Sequence, residues 1–319
     1  IYQLLITIII IVLIQAAFIL PTAPYFFTYY NPVLGGGNAA AEKIIVGWGE
    51  GLDGAAEWLN AQSNAKELDI VAWYSTTFEP YFVGNAIYKI EDEKISRTSK
   101  PGLAADYVVL YVNQLQRQLP TSGALQHFTA VPPAHTVTLN GTNYAWIYPS
   151  IAMQHVLAEE ARLVGQAELL GFNLVGAEGN RLDTPATDQP VTVELYWEWQ
   201  GKQPDETIGL SLVDAEEQAW GWGNPLGTQA RLPFEQWQEG MVAHDDFGLA
   251  IFPGTPPGDY FLRVWIDRPA TSERVGDFPI TTDMRVTLAR STTPPALDDL
   301  PLTTWLDAPL MGEAISLIG

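Results

Sequence analysis

The side chains most able to do chemistry in this chain are few and scattered. Four histidines, His127, His135, His155 and His244, are its only imidazoles. None stands in an H-x-x-x-H or HExxH spacing, so no pair is set on one helix face to share a metal ion. The densest cluster, His244-Asp245-Asp246, reads as a solvated turn before a strand rather than a metal site. No G-x-S-x-G elbow presents a serine nucleophile. The sequence has no cysteine, which removes thiolate nucleophiles, Cys-ligated zinc, iron–sulfur clusters and disulfides. Gly47-Trp48-Gly49-Glu50-Gly51 has a G-x-G-x-G spacing, not the G-x-G-x-x-G of a dinucleotide site, and reads as a tight strand-to-helix turn. Glu91-Asp92-Glu93-Lys94 reads as an exposed turn. Asn140-Gly141-Thr142 matches a glycosylation sequon, but a hairpin turn suffices to explain it. The residues themselves therefore show no self-sufficient catalytic constellation, no metal site and no cofactor.

Charge narrows the partners. The 319 residues carry 16 Lys+Arg against 37 Asp+Glu, a net charge of −21. Nucleic-acid binding needs basic side chains to displace phosphate counterions, so that class is excluded. The charge is also uneven. Residues 1–41 have no charged side chain; residues 42–150 hold 7 basic and 11 acidic, and residues 151–319 hold 9 and 26. Three compositions point to three physical units, and the 47% apolar content is enough to give folded units real cores.

The first unit reads as a membrane segment. From Leu4 to Leu20 the only polar residues are Thr7 and Gln15. Seventeen helical residues span about 26 Å against a hydrocarbon core of about 30 Å, and Ile1–Gln3 extend the run. A signal peptide would show a basic start and a shorter apolar run, and a buried soluble helix suits the seven β-branched Ile and Val residues from Ile6 to Ile14 less well. Pro21 and Pro24 end the helix. Tyr25, Phe26, Phe27, Tyr29 and Tyr30 then fit the headgroup level, so residues 1–27 read as a spanning helix with an aromatic interface. No Lys or Arg precedes Lys43, which places residues 42–319 outside the cytoplasm. The start inside the apolar run suggests that an upstream part is missing.

Residues 35–150 read as a small α/β domain. Gly35-Gly36-Gly37 is a break, Lys43–Val46 a short buried strand, and Asp53–Asn60 a helix with Leu52, Ala55, Ala56 and Leu59 inward and Asp53 at its positive end. Leu68–Tyr74 and Tyr107–Val112 are continuous apolar runs suited to strands covered on both faces. Asn113–Leu119 reads as a short polar helix. Val137–Leu139 and Tyr144–Tyr148 flank Asn140-Gly141 as a hairpin.

Residues 166–290 read as an all-β sandwich after a connecting helix over Ile151–Gly165. In Val191–Trp199 apolar residues alternate with Thr192, Glu194, Tyr196 and Glu198, the period of a half-buried strand. Ile208–Leu212, Phe247–Ile251 and Tyr260–Ile266 follow the same rule. Trp197 and Trp199 then face the core, and Tyr196, Phe261, Arg263 and Trp265 face outward. Tyr196, Phe261 and Trp265 are candidates for a glycan platform, unless residues 285–319 cover that face. Residues 291–309 read as an extended tail. The expected fold class is thus α+β and multidomain: one transmembrane helix, a small α/β domain and an all-β sandwich.

Several spaced motifs carry a resemblance: Tyr29-Tyr30-Asn31-Pro32 through the three glycines, VGWGEGLDGAAEWLN at 46–60, VAWYSTTFEPYFVG at 71–84, ADYVVLYVNQLQRQLP at 105–120 and HTVTLNGTNYAWIYP at 135–149. Over roughly residues 1–150 the chain resembles the extracytoplasmic C-terminal region of prokaryotic family 39 membrane glycosyltransferases, which are related to protein O-mannosyltransferases. The later region looks like the β-sandwich appended to some of them. The resemblance implies a multi-spanning GT-C enzyme that transfers a sugar, with inversion, from a polyprenyl-phosphate carrier to a glycan or protein acceptor. It also implies a catalytic acid in a first extracytoplasmic loop upstream of the matched region, so no catalytic residue carries over and this chain alone is expected to be inactive. Trp48, Glu50, Asp53, Gln114 and Arg117 fall in the matched turn and helix. They are the substrate-proximal candidates, and holding the α/β fold is an equally open role for them. The competing expectation is a membrane-anchored carbohydrate-binding or structural module without catalysis.

Overall fold

The computed structural model describes residues 2–86, 105–119, 122–157, 163–164, 167–199, 206–238, 240–268, 270–291, 310–311 and 315–316. Its architecture is mixed α+β: an apolar N-terminal helix, a small sheet with helices, then a large curled antiparallel sheet. Helix α1 (Tyr2–Ile19) has no buried residue. With the turn after it, this helix is long and apolar enough to cross a membrane.

Hydrogen bonds pin the segment after α1 both to that helix and to the α/β unit. Tyr29 donates its hydroxyl back to Gln15 of α1 (3.3 Å). Asn140 donates to Thr28 Oγ1 (2.7 Å), and the Tyr25 hydroxyl donates to Asp53. The expected break at Gly35–Gly37 is instead the start of helix α2 (Gly36–Lys43), entered through Gly35 at φ 99°. The expected strand at Lys43–Val46 does not form: Ile44 and Ile45 are exposed and only Val46 is buried. Gln116 occupies the backbone there, accepting from Val46 N (3.0 Å) and donating to Ile44 O (2.8 Å) and to Ala41 O. A backbone satisfied by a side chain has no need of a neighbouring strand.

The next elements are α3 (Leu52–Asn60), β1 (Asp69–Ala72), α4 (Ser75–Phe78), β2 (Asn85–Ala86), β3 (Tyr107–Tyr111), α5 (Val112–Gln116), α6 (Ser122–Thr129), β4 (His135–Leu139) and β5 (Thr142–Pro149). The sheet runs β2-β1-β3-β5-β4, parallel across β2, β1 and β3 and antiparallel beyond. Leu52, Ala55, Ala56 and Leu59 of α3 are all buried against it, as their spacing predicts. The other face carries a second core of Val71, Val108, Leu110, Leu125, Phe128 and Tyr148. Strand β3 is therefore covered on both faces, in keeping with its continuous apolar run. The β4–β5 turn has Asn140 at φ 50° and Gly141 at φ 79°, the left-handed pair that its two-residue hairpin requires. Helix α5 is shorter than its expected range and is not a polar surface helix: Val112, Asn113 and Gln114 are buried.

The expected connecting helix at 151–165 is replaced, where described, by β6 (His155–Val156) and β7 (Leu163–Val164), both paired with β8 (Ala167–Gly176). The chain continues as β9 (Val191–Trp199), β10 (Thr207–Val213), β11 (Ala219–Ala230), β12 (Ala243–Ile251), β13 (Gly258–Arg268), β14 (Glu273–Asp277) and β15 (Arg285–Leu288). The expected sandwich-like unit is built from one continuous sheet folded on itself, β14-β13-β10-β11-β12-β9-β8-β6, with β15 beside β13 and β7 beside β8. It curls until its two ends share a core. Trp197 of β9, fully buried, meets Phe278 beyond β14 with ring centres 5.3 Å apart. Leu195, Leu210, Leu212, Leu262, Val264 and Ile266 fill the same core. Strand β15 extends the sheet at its edge by pairing with β13. The Glu91–Lys94 turn, the Trp199 side chain and the tail over 292–309 lie outside the described residues.

Candidate functional site

The glycine turn before α3 builds the first candidate site. Gly47 and Gly49 adopt φ 88° and 121°, a region that costs any side chain dearly. Space closes the same door: a Cβ on Gly47 would lie 2.6 Å from Val112 Cγ1, and one on Gly49 2.7 Å from Thr77 Cγ2. The turn is thus pressed onto the C-terminal ends of β1 and β3, which run in parallel and end side by side.

Those strand ends hold the turn by side chains. The Tyr111 hydroxyl accepts from Gly49 N (2.9 Å) and lies 3.2 Å from Glu50 O. The Glu50 carboxylate accepts from Trp48 N (2.6 Å). Asn113 donates to Gly47 O (3.2 Å) and accepts from the Tyr74 hydroxyl (2.6 Å), to which Arg117 donates in turn (3.3 Å). Burial, with the Glu50 carboxylate nearby, raises the Tyr111 phenol well above its ordinary value, so it stays neutral. Between turn and strand ends lies a cavity of about 300 Å³, lined by Trp48, Tyr74, Thr77, Tyr111, Asn113 and Arg117. Trp48 is 80% exposed. The cavity offers an indole face, a guanidinium and neutral hydroxyl and amide groups. Such a set binds and orients a polar ring with an anionic substituent.

Of the five substrate-proximal candidates, Trp48 and Arg117 line the cavity, and Glu50 supports it by holding the Trp48 amide. The other two stand apart. Asp53 lies in the first turn of α3, whose N-cap is Gly51, and receives the Tyr25 hydroxyl. Gln114 is buried, accepting from Tyr111 N (3.2 Å) and donating to Leu119 O (3.1 Å), so it shapes α5 rather than a site. Tyr74, Tyr111 and Asn113 escape the sequence reading. The available signal is their place at the carboxyl ends of parallel strands, where open α/β sheets bind ligands.

The glycan-platform candidates fare differently. Their outward register holds, with Phe261 and Trp265 half-buried opposite the core face. Yet Trp265 is no open platform. Its ring lies over Gly209, where a Cβ would come within 2.1 Å of it. The Arg274 guanidinium covers it at 4.4 Å from the ring centre, and its Nε1 donates to Asp267 (2.7 Å). Tyr196 is a correction: it is buried, not exposed, packed with Met153, Leu170 and Val242 where the curled sheet meets the α/β unit. Its hydroxyl donates to Glu194 (2.8 Å) and accepts from Asn173 (3.1 Å).

The histidines are dispersed. His135 stacks on Trp58 and His155 on Phe172. His244-Asp245-Asp246 is not a turn but part of β12, paired with both β9 and β11. Among the described residues no three His, Asp or Glu side chains converge as a metal site requires.

Comparison with known proteins adds little. No family model and no curated protein matches the chain. Among solved structures, the cupredoxin domain of amoB from Nitrosocaldus yellowstonii aligns at 14% identity and a TM-score of 0.17. That alignment covers 35% of this chain and 65% of the other, less than two thirds of its length.

Proposed function

We propose that the chain is the extracytoplasmic C-terminal part of a membrane glycosyltransferase that transfers a sugar from a polyprenyl-phosphate donor. The Trp48–Arg117 cavity would hold the acceptor or the donor's sugar beside the bilayer. One observation carries this reading: the cavity opens beside side chains that a soluble surface would hide. Ile44 and Ile45 are each 55% exposed and Trp48 80%. Phe26, Phe27, Val33 and Leu34 are exposed as well, all after an apolar helix and tied to it through Tyr29. Apolar and aromatic groups next to a spanning helix belong at the lipid interface. The absence of Lys and Arg before Lys43 favours the outer side of the membrane. Catalysis itself is assigned upstream, where the family keeps its carboxylate. The covered Trp265 ring weighs against a carbohydrate platform on the outer face of β13.

The test uses membranes containing the multi-spanning parent and a polyprenyl-phosphate hexose. The parent should transfer the hexose and this chain alone should not. Trp48→Ala and Arg117→Ala in the parent should each lower transfer by about tenfold or more. A parent that makes no transfer overturns the activity; full transfer by both variants overturns the cavity's role. Protease added to intact spheroplasts should remove the mass C-terminal to residue 42, and complete protection would reverse the orientation.

A further inference from the structure

A second cavity, of about 400 Å³, lies where the curled sheet meets the α/β unit. It is lined from one side by His127 and Ser150 and from the other by Arg181, Glu194, Tyr196, Gln229, Ala230, Arg231 and His244. Its size falls within the range of small-molecule sites. Two features set it apart from an ordinary seam.

The first is charge. Residues 151–319 carry 9 basic and 26 acidic side chains, yet two arginines face this one cavity. Arg181 is paired with Glu194 at 3.4 Å. Arg231 is not so paired. It donates to His127 O (3.2 Å) and lies over the Phe128 ring, and among the described residues no carboxylate meets it. Asp246, the cross-strand neighbour of Glu194, meets His244 at 3.5 Å, so among the described residues the Arg231 guanidinium has no carboxylate of its own. A half-buried lone cation is costly without an anion.

The second is unmet hydrogen bonding. His127 is 5% exposed beside the cavity, and its two ring nitrogens, which have no partner among the described residues, have no surface open to it. Buried polar groups are rarely left so, and each such case asks for a partner. The Tyr196 hydroxyl and the Gln229 amide stand on the same wall.

We propose that the seam cavity binds a monocarboxylate sugar of the uronic-acid class, its carboxylate on Arg231 and its hydroxyls on Tyr196 and Gln229. The one guanidinium without a carboxylate partner can take one carboxylate. A dianionic phosphate would meet Glu194 on the same wall and Asp246 beside it. A neutral hexose would leave Arg231 uncompensated.

Calorimetric titration of the full chain in detergent micelles with D-glucuronate tests this, with D-glucose, acetate and inorganic phosphate as controls. Glucuronate should bind at least about tenfold more tightly than each control, a difference of about 1.4 kcal/mol. Arg231→Gln should abolish that preference and Arg231→Lys keep part of it. Because Arg231 also ties the seam to His127, a second variant is needed. Ala230 is exposed and lines the cavity, so Ala230→Trp should fill the space, leave the thermal midpoint unchanged and eliminate glucuronate binding. Glucuronate binding no tighter than glucose or acetate, tighter binding of phosphate, or unchanged affinity in Ala230→Trp would each overturn the proposal.

Discussion

Two tryptophans of this molecule, Trp48 in the glycine turn and Trp265 on β13, present aromatic rings in opposite ways. Trp48 sits between two glycines with no side chain on either neighbour, and its ring stands clear of the rest of the protein. Trp265 sits on a strand, where neighbours at fixed register supply a floor and a lid. Gly209 is its directly paired residue on β10, and Arg274 reaches it from β14. A turn held by backbone contacts leaves its side chain free; a strand position recruits cross-strand partners. An outward register therefore does not mean an available ring, whereas a glycine-flanked ring in a pinned turn remains available.

The sharpest break of this comparison is within the sheet itself. Trp197 has no exposed surface, and Trp197→Ala should cost about 3–5 kcal/mol of stability. Trp265→Ala removes a half-exposed ring and its arginine contact, and should cost about 1 kcal/mol. Urea denaturation of both variants checks the pair. Equal losses would mean that Trp265 belongs to the core and that the two faces of β13 are not distinct.

The seam offers the next effect. Burial, helped by the nearby Arg231 charge, lowers the His127 pKa to about 3. An unfolded histidine titrates near 6.5, so between those values the unfolded chain binds a proton that the folded chain refuses. Stability due to this group is therefore complete above about pH 6.5 and is lost as pH falls toward 3. From pH 6.5 to 4.5 the loss should be about 2–3 kcal/mol. Burial raises Asp245 and Asp246, which oppose this trend as they take up protons. The measurement is therefore the difference between the native chain and His127→Leu across that range. Parallel pH profiles for the two would show that the imidazole is not held neutral.

Much of the frame was legible in residue order, and the failures share a cause. The apolar helix, α3, β1, β3, the Asn140-Gly141 hairpin and the register of β9, β10, β12 and β13 all follow from local periodicity or turn chemistry. Lys43–Val46 failed because Gln116, some seventy residues away, satisfies that backbone. Tyr196 failed because the segment carrying Ile151, Met153 and Val156 packs over its outward face, which alternation within one strand does not report. The site divides in the same way. Trp48 and Arg117 converge on one cavity, while Tyr74 and Asn113 enter only once β1 and β3 are known to be parallel neighbours.

The turn's own rigidity can be sharpened next. Tyr111→Phe keeps the ring in its place and deletes the hydroxyl that accepts from Gly49 N. A buried donor left without its acceptor costs about 1–2 kcal/mol. The loss should be local: amide exchange at Gly49 and Glu50 should quicken while that of β3 is unchanged. Uniform acceleration across the sheet would instead make Tyr111 a core residue with an incidental hydroxyl.

The smallest stability effect carries the clearest distinction between the two tryptophans. Trp48 touches little, so Trp48→Ala should leave stability within about 0.5 kcal/mol of the native chain. Its position is what matters. If the turn, Ile44 and Ile45 rest on the bilayer, the indole lies at headgroup level, where tryptophan is favoured. Trp265 belongs to the curled sheet and carries an arginine on its face, so lipid should not reach it. In proteoliposomes made with brominated lipids, fluorescence quenching should fall on Trp48→Ala and stay unchanged on Trp265→Ala. The variants separate position from folding because neither removes a core ring. Quenching that survives Trp48→Ala would lift the glycine turn off the membrane, and with it the placement of the Trp48–Arg117 cavity at the lipid surface.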